Sequence, residues 1–513
     1  MRTAAPSIRP PITRFAVPAL SRSAVLTWLA PLAAAAAIAG RRWSQTDGYV
    51  PGNDPGTWLA FGRDLFGGPG RSSPAAYPPL VPALTHLARL ATDPMRALHL
   101  VGIGSLVVVT LAAFFVARRG MAPLFALGTA ALVGLSGILT ETFAFGGYPQ
   151  NYALAFALLA AFALASFLKD GRRRALIGTT AALLGAALSH HMYFAVACAV
   201  AAVVWLLWLT TRPARPVAIR RTVLAVAAGA VALLGFLPTV LALRDAGYDA
   251  PVNPDGLALD AALRYALREA PWLWVAVVVA SAVYLVLTPE RRRDPTWQVT
   301  AALLAASLPL LIATGETRLV PPLLVGASLG LGLLLNDLWK LGRTAVWAGL
   351  APTLAVALPL LLWFQTDDVA AGAYDFYREA DRSLLAAAAL VEAHPGHGLA
   401  VVRKSADGWP AGWWFEGLTE KRIAVGSEEK WLAFPEERAN ARLAALLFDG
   451  TRPSAEIAHL AADRGVALLV VRKHEWIGWQ RWLAEPTPAL TVAYEDPAAD
   501  GFLVLAVDPR SPG

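Results

Sequence analysis

Cysteine is almost absent from this chain, and charge is scarce. The one cysteine, Cys198, lies inside an apolar run, so no intrachain disulfide can form and cysteine usage does not report the redox compartment. Charged residues make up 16% of the 513 residues against 56% hydrophobic ones, with a mean hydropathy of +0.50. A soluble chain of this length carries about a quarter charged residues, so the composition excludes an ordinary soluble protein and points to an integral membrane protein. Acids are missing from the first 22 residues, which hold Arg2, Arg9, Arg14 and Arg22. The last part of the chain has no glycine-rich phosphate loop, no metal-ligand spacing and no internal repeat. The net charge of +7 and pI near 9.6 would suggest nucleic acid in a soluble protein. Here the basic residues cluster between apolar runs, as in cytoplasmic membrane loops, and no nucleic-acid partner is expected.

What the chain does have is a series of apolar runs of bilayer-crossing length. The first covers residues 24–40, and others follow at 98–116, 121–139, 153–168, 175–189, 192–209, 223–243, 272–287, 297–313, 319–335 and 345–364. This predicts about eleven transmembrane helices, give or take one or two where the runs are short. The alanine-rich end of the first run offers small residues to a signal peptidase. An uncleaved first span with a cytoplasmic N-terminus is the expected state, because many spans follow. Arg118 and Arg119, Lys169 with residues 172–174, the arginines of 212–221, Arg291 to Arg293, and Lys340 with Arg343 occupy every second connection. The connections 141–151, 189–191 and 315–318 carry one basic residue among them. This alternation places the N-terminus inside and the glycine- and proline-rich loop 47–80 outside.

With an odd number of spans, residues 365–513 also fall outside. Their soluble composition reads as α/β, with a helix over 374–394, buried strands at 399–403 and 466–471, a helix over 455–463 and closing strands at 490–494 and 502–507. The expected fold class is a polytopic α-helical membrane protein, residues 1–364, with a first extracytoplasmic loop 41–97 and a C-terminal extracytoplasmic α/β domain.

The loop 47–80 holds the strongest concentration of candidate chemistry. Asp54 stands in Gly52-Asn53-Asp54-Pro55-Gly56, followed by TWLAFGRDLF, whose apolar positions suit one face of a short helix. An aspartate directly before proline is a standard helix cap, and a capping carboxylate still exposes an oxygen for other work. Asp47 and Asp64 are weaker candidates. Tyr77-Pro78-Pro79-Leu80 then leads into VPALTHLARL, an amphipathic stretch suited to a helix on the outer membrane surface.

An acidic residue in the first outer loop, a short helix, a glycine-rich turn and an aromatic-Pro-Pro-Leu segment together resemble the GT-C superfamily of membrane glycosyltransferases. That superfamily includes the protein O-mannosyltransferases and the bacterial transferases that modify lipid A. Asp-Glu is frequent there where this chain reads Asp54-Pro55. The resemblance covers roughly the first 120 residues in detail and implies an extracytoplasmic transfer from a polyprenyl-phosphate sugar, with Asp54 as catalytic base. Arg318, the basic residue of 315–318, is similar to an arginine that faces the lipid phosphate in these enzymes. Its alternative is a pair with Glu316 or snorkelling.

Other outer polar residues keep two readings each. His190 and His191 could bind phosphate or a metal, or mark the interface. Glu141, with Tyr148, Gln150 and Asn151 around Gly146-Gly147, could bind sugar hydroxyls or a divalent cation such as Mg or Mn, or form an ordinary turn. Trp409, Trp413 and Trp414, and Trp476, Trp479 and Trp482 at helical spacing, suit packing or interface anchoring better than sugar stacking. The expected partners are membrane lipid, a lipid-linked sugar donor, and a glycan, lipid or protein acceptor at the cytoplasmic membrane. A transporter or flippase of lipid-linked sugars and a non-catalytic envelope assembly protein are the competing classes. The enzyme reading requires Asp54 and Arg318 to face one cavity.

Overall fold

The computed structural model describes residues 22–46, 48–67, 77–249, 258–267, 270–342 and 345–508. The basic N-terminal stretch 1–21, Asp47, the glycine-rich turn 68–76 and Arg343 lie outside the described residues. In chain order the helices of the apolar part are α1 (Arg22–Gln45), α2 (Asp54–Leu65), α3 (Leu80–Arg89), α4 (Pro94–Gly120), α5 (Pro123–Gly134), α6 (Gly137–Phe145), α7 (Tyr148–Asp170), α8 (Arg173–Ser189), α9 (His191–Leu209) and α10 (Arg215–Asp245). They continue with α11 (Leu259–Ala266), α12 (Pro271–Leu287), α13 (Pro295–Thr314), α14 (Val320–Leu341) and α15 (Ala345–Phe376).

Each predicted apolar run is helical. Among the described residues, seven helices are long and apolar enough to cross a membrane unaided, or up to eight if the bent pair α5 and α6 forms one span. The runs at α8 and α12 form helices of 17 residues each, at the lower limit for crossing. The run at 121–139 is broken, with α5 and α6 meeting at 43°. Ser136 sits between them in extended conformation, and the bend turns α6, with Glu141 in its middle, toward the α2 loop.

The connections that alternate in the sequence also separate in space. At one end of the bundle, the Thr296 hydroxyl donates to the Val116 carbonyl at 3.1 Å, the Ala122 N–H to Asn336 Oδ1 at 2.9 Å, and Arg291 pairs with Asp337. At the other end α2, α6, the α8–α9 junction and the start of α14 converge. Arg41 and Gln45 at the end of α1 both bond Asp367 of α15, Nε and Nε2 reaching Oδ1 at 2.8 and 2.9 Å, which ties the first long helix to the last.

Beyond α15 come α16 (Arg382–Ala393), β1 (Leu399–Val402), α17 (Gly412–Leu418), β2 (Ile423–Val425), α18 (Pro435–Leu447), α19 (Ser454–Ala462), β3 (Val466–Arg472), α20 (Gly478–Ala484), β4 (Leu490–Glu495) and β5 (Phe502–Val507). The five strands form one sheet in the order β2-β1-β3-β5-β4. β1 is parallel to both β2 and β3, while β5 runs antiparallel to β3 and β4. The expected strands at 399–403, 466–471, 490–494 and 502–507 are present, as is the helix at 455–463. The single helix expected over 374–394 is instead divided: α15 runs on to Phe376, and α16 starts afresh where the Asp381 carboxylate accepts the Leu384 N–H at 2.8 Å.

Alternation along the strands assigns the two faces of the sheet. Ala400, Val402, Val470 and Val504 belong to a core continuous with the helical bundle, while Val401, Leu469, Val471 and Leu505 pack under α18, α19 and α20. Trp476 and Trp482 are packing residues there, with ring centroids 4.7 Å apart.

The sheet region grips α2 directly. Gly56 passes so close to α17 that a Cβ would sit 2.5 Å from the Trp413 carbonyl oxygen, and a Cβ on Gly417 would sit 2.3 Å from the Gly56 oxygen. Arg63 donates to the carbonyls of Glu416, at 2.9 Å, and Thr419. Because both obstacles at this crossing are backbone, Gly56→Ala must push the helices apart. The expected cost is about 1–3 kcal/mol, read as a lowered denaturation midpoint of the purified protein, and an unchanged midpoint contradicts this packing.

Candidate functional site

A cavity of about 630 Å³ opens where α2, α6, the α8–α9 junction, the start of α14 and the sheet region meet. Its walls include Asp54, Glu141, His190, His191 and Arg318, five of the residues singled out in the sequence. Tyr148 and Asn151 are not on its wall. Tyr148 is fully buried with its ring against Phe143, centroids 5.8 Å apart. Asn151 turns back to α4, its Nδ2 donating to Ser105 Oγ at 3.2 Å. One residue earlier on the same helix, Gln150 reaches the cavity.

Asp54 is placed by a tightly bonded loop. The Gly52 N–H donates to the Tyr377 carbonyl at 2.8 Å, and Trp414 Nε1 to the Gly52 carbonyl at 2.8 Å. Trp58 Nε1 donates to the Gly146 carbonyl, also at 2.8 Å. Gly52 and Gly146 both have positive φ, +101° and +96°, and a Cβ on Gly52 would collide with the Phe145 backbone at 2.5 Å. The capping role expected of Asp54 is absent: α2 opens on Asp54 itself, Asn53 takes the cap position, and no side-chain cap bond forms there. The Asp54 carboxylate therefore stands in the first turn of the helix, where the dipole favours negative charge, and lines the cavity. Burial raises its pKa from 3.8 to about 7, and the nearby Arg318 charge works in the opposite direction. A group with that pKa exchanges protons near neutrality, as a general base requires.

Arg318 faces the same cavity and is also paired. Its Nε donates to Glu316 Oε1 at 2.9 Å, its backbone N–H to the same oxygen at 3.2 Å, and its carbonyl accepts the Tyr193 hydroxyl at 2.7 Å. The pair with Glu316 thus fixes the guanidinium by its inner nitrogen. The Arg318 side chain keeps 26% exposure against 3% for Glu316 and lines the cavity.

His190 and His191 sit beside it with ring centroids 4.9 Å apart. His190 Nδ1 accepts the Tyr193 N–H at 3.4 Å, which commits that nitrogen to the start of α9, and His191 Nε2 meets the Tyr248 hydroxyl at 2.8 Å. Burial, with His191 and Arg318 nearby, holds the His190 pKa well below its ordinary range, so its imidazole is neutral. Tyr77, from the aromatic-Pro-Pro-Leu segment, lies edge-on to both histidines and stacks on Phe61 at 5.9 Å.

Glu141 is 4% exposed and accepts the Tyr377 hydroxyl at 2.8 Å. Among the described residues no three of His, Cys, Asp and Glu gather in a metal-holding group. Sequence reasoning missed Tyr248, Tyr377 and Trp431 and favoured packing for Trp409 and Trp413, yet all five line the cavity. Trp414 is core, and Trp479 Nε1 donates to the Lys473 carbonyl at 2.9 Å, away from the cavity.

No family model matches the chain, and no curated protein sequence matches it. Solved structures do. The archaeal oligosaccharyltransferase AglB from Archaeoglobus fulgidus, in complex with an inhibitory peptide and a dolichol-phosphate, superposes with a TM-score of 0.56 over 87% of this chain and 69% of that one, at 14% identity. ArnT from Cupriavidus metallidurans bound to undecaprenyl phosphate superposes with a TM-score of 0.55 over 92% of this chain and 97% of that one, at 15% identity. The chain has a GT-C fold. The ArnT match covers 92% of this chain, so it extends beyond the helices into the sheet region.

The electrostatics of this cavity predict a titration. A carboxyl with a raised pKa is neutral below it and charged above, so the protonated-carboxyl infrared band of Asp54 disappears with a midpoint near pH 7. Arg318→Gln removes the charge that opposes the shift and moves the midpoint higher. The band is identified by its loss in Asp54→Asn, and a midpoint near the ordinary aspartate range contradicts this environment.

Proposed function

We propose that this protein is an inverting glycosyltransferase that moves a sugar from a polyprenyl-phosphate donor to an acceptor hydroxyl on the outer side of the cytoplasmic membrane. The observation that carries the reading is that Asp54 and Arg318 line one cavity, at the end of the bundle where the lysine- and arginine-poor connections meet. In this proposal residues 1–364 form the membrane domain, with a cytoplasmic N-terminus, and residues 365–513 the extracytoplasmic domain. The transferred sugar is a hexose or pentose.

The steps follow from the side chains. The Asp54 carboxylate accepts the proton of the acceptor hydroxyl as its oxygen attacks the anomeric carbon. The bond from that carbon to the phosphate oxygen breaks, and polyprenyl phosphate leaves with the electron pair. The charge developing on the leaving phosphate is met by the outer nitrogens of Arg318, whose inner nitrogen is held by Glu316. Neutral His190 and His191 add polarity beside it without a second fixed cation. Attack from the face opposite the phosphate inverts the anomeric configuration. The fold supports this reading, because AglB and ArnT were solved with polyprenyl-type phosphates bound.

A panel of radiolabelled polyprenyl-phosphate sugars supplied to membranes containing the protein tests the proposal. Asp54→Asn is expected to lower kcat by about 10²–10⁴-fold, the scale of general-base catalysis. Its denaturation midpoint at neutral pH should be unchanged or higher, because the variant no longer buries an ionisable carboxyl. Arg318→Gln should weaken use of the donor. Full transfer by Asp54→Asn overturns the assignment.

A further inference from the structure

The wall that the sheet region contributes to the cavity differs in chemistry from the wall that carries Asp54, His190 and Arg318. Trp409, Trp413 and Trp431 line it. Its charged groups are already engaged: the Lys430 amine pairs with Glu428 at 3.0 Å, and the Glu437 carboxylate accepts the Phe434 N–H at 3.2 Å at the start of α18. The wall therefore offers aromatic faces and neutral hydrogen-bonding groups.

Several of those groups have no hydrogen-bond partner among the described residues. A buried indole N–H ordinarily finds an acceptor, and those of Trp58 and Trp414 do so at 2.8 Å. Among the described residues, the buried indole nitrogens left without one are Trp413 Nε1 and Trp431 Nε1, both on cavity-lining side chains. Across the α2–α17 crossing, Asn53 Oδ1 and Thr57 Oγ1 also lack partners. Asn53 and Thr57 are 7% and 8% exposed, line the same cavity and stand four residues apart, one turn of helix, flanking the acid at Asp54. Unpaired buried polar groups are costly and rare, and a set of both donors and acceptors on residues that border one cavity suits a ligand rich in hydroxyls. The tryptophan faces suit the C–H faces of sugar rings, and among the described residues the sheet-region wall, unlike the Arg318 side, has no unengaged charge for an anionic ligand.

We propose that Asn53, Thr57, Trp409, Trp413 and Trp431 form the acceptor subsite and that the acceptor it takes is an uncharged saccharide. This rests on the glycosyltransferase reading and names its acceptor class: the saccharide hydroxyl next to Asp54 is the one deprotonated, while the ring lies against the tryptophans.

The test uses the full-length protein in lipid nanodiscs. Neutral methyl glycosides and short neutral oligosaccharides, their uronic-acid counterparts, and short peptides are compared as ligands by saturation-transfer NMR, with undecaprenyl phosphate binding measured in parallel. Neutral saccharides are expected to bind, and Thr57→Val and Trp431→Ala each to weaken them by about tenfold, the size of one good hydrogen bond to a buried group. Trp431→Phe should retain part of the binding, and undecaprenyl phosphate binding should be unchanged in all three, which also shows that they fold. Preference for uronic acids or peptides, absence of saccharide binding, or indifference to Thr57→Val and Trp431→Ala overturns the acceptor assignment. If undecaprenyl phosphate still binds in that case, the donor reading stands. Failure of the wild-type protein to bind undecaprenyl phosphate overturns both.

Discussion

The proposed chemistry depends on keeping the Asp54 carboxylate poorly solvated in the cavity that Arg318 also lines. A carboxylate in water is a weak base, ionised far below neutrality. Burial raises the Asp54 pKa to about 7, and Arg318 limits the rise. No one segment supplies both groups and their enclosure. Asp54 comes from the loop after α1, Arg318 from the turn before α14, and the enclosure from the sheet region.

The packing details follow from that requirement. α2 carries Asp54 into place because Gly56 and Gly417 let two backbones touch, and because Tyr377, Trp414 and Trp58 each fix a backbone group of the loops around it. Arg318 is fixed at three points, by two bonds to Glu316 and one from Tyr193. Tyr377 contributes twice, through its carbonyl to Gly52 and through its hydroxyl to Glu141. The helical bundle and the sheet share one continuous core, so the sheet region is part of the site's construction.

Much of this was legible in the sequence, for identifiable reasons. Apolar runs announce helices because a bilayer demands them, and scarce polar residues at span ends stand out against that background. Asp54, Glu141, His190, His191 and Arg318 were visible in this way. Residues whose role depends on the angle around a helix were less visible: Gln150 and Asn151 are neighbours in sequence, yet one reaches the cavity and the other bonds α4. The break between α5 and α6 lies within an apolar stretch, so hydropathy does not show it. Trp431 was hidden because its contribution depends on how a distant sheet region docks. For the same reason Trp409 and Trp413 look like packing tryptophans until the docking is seen. Pairing with Glu316 and facing the cavity were alternatives for Arg318 in the sequence, and the structure has both at once.

The central claim concerns where a lipid-linked sugar sits. The most direct measurement is a cryo-electron microscopy structure of the protein with a non-transferable polyprenyl-phosphate sugar analogue bound. The account predicts the phosphate within hydrogen-bonding distance of the outer nitrogens of Arg318, and the anomeric carbon turned toward Asp54 with room between them for an acceptor hydroxyl. A phosphate bound away from Arg318, or an anomeric carbon on the far side of the cavity from Asp54, would contradict it.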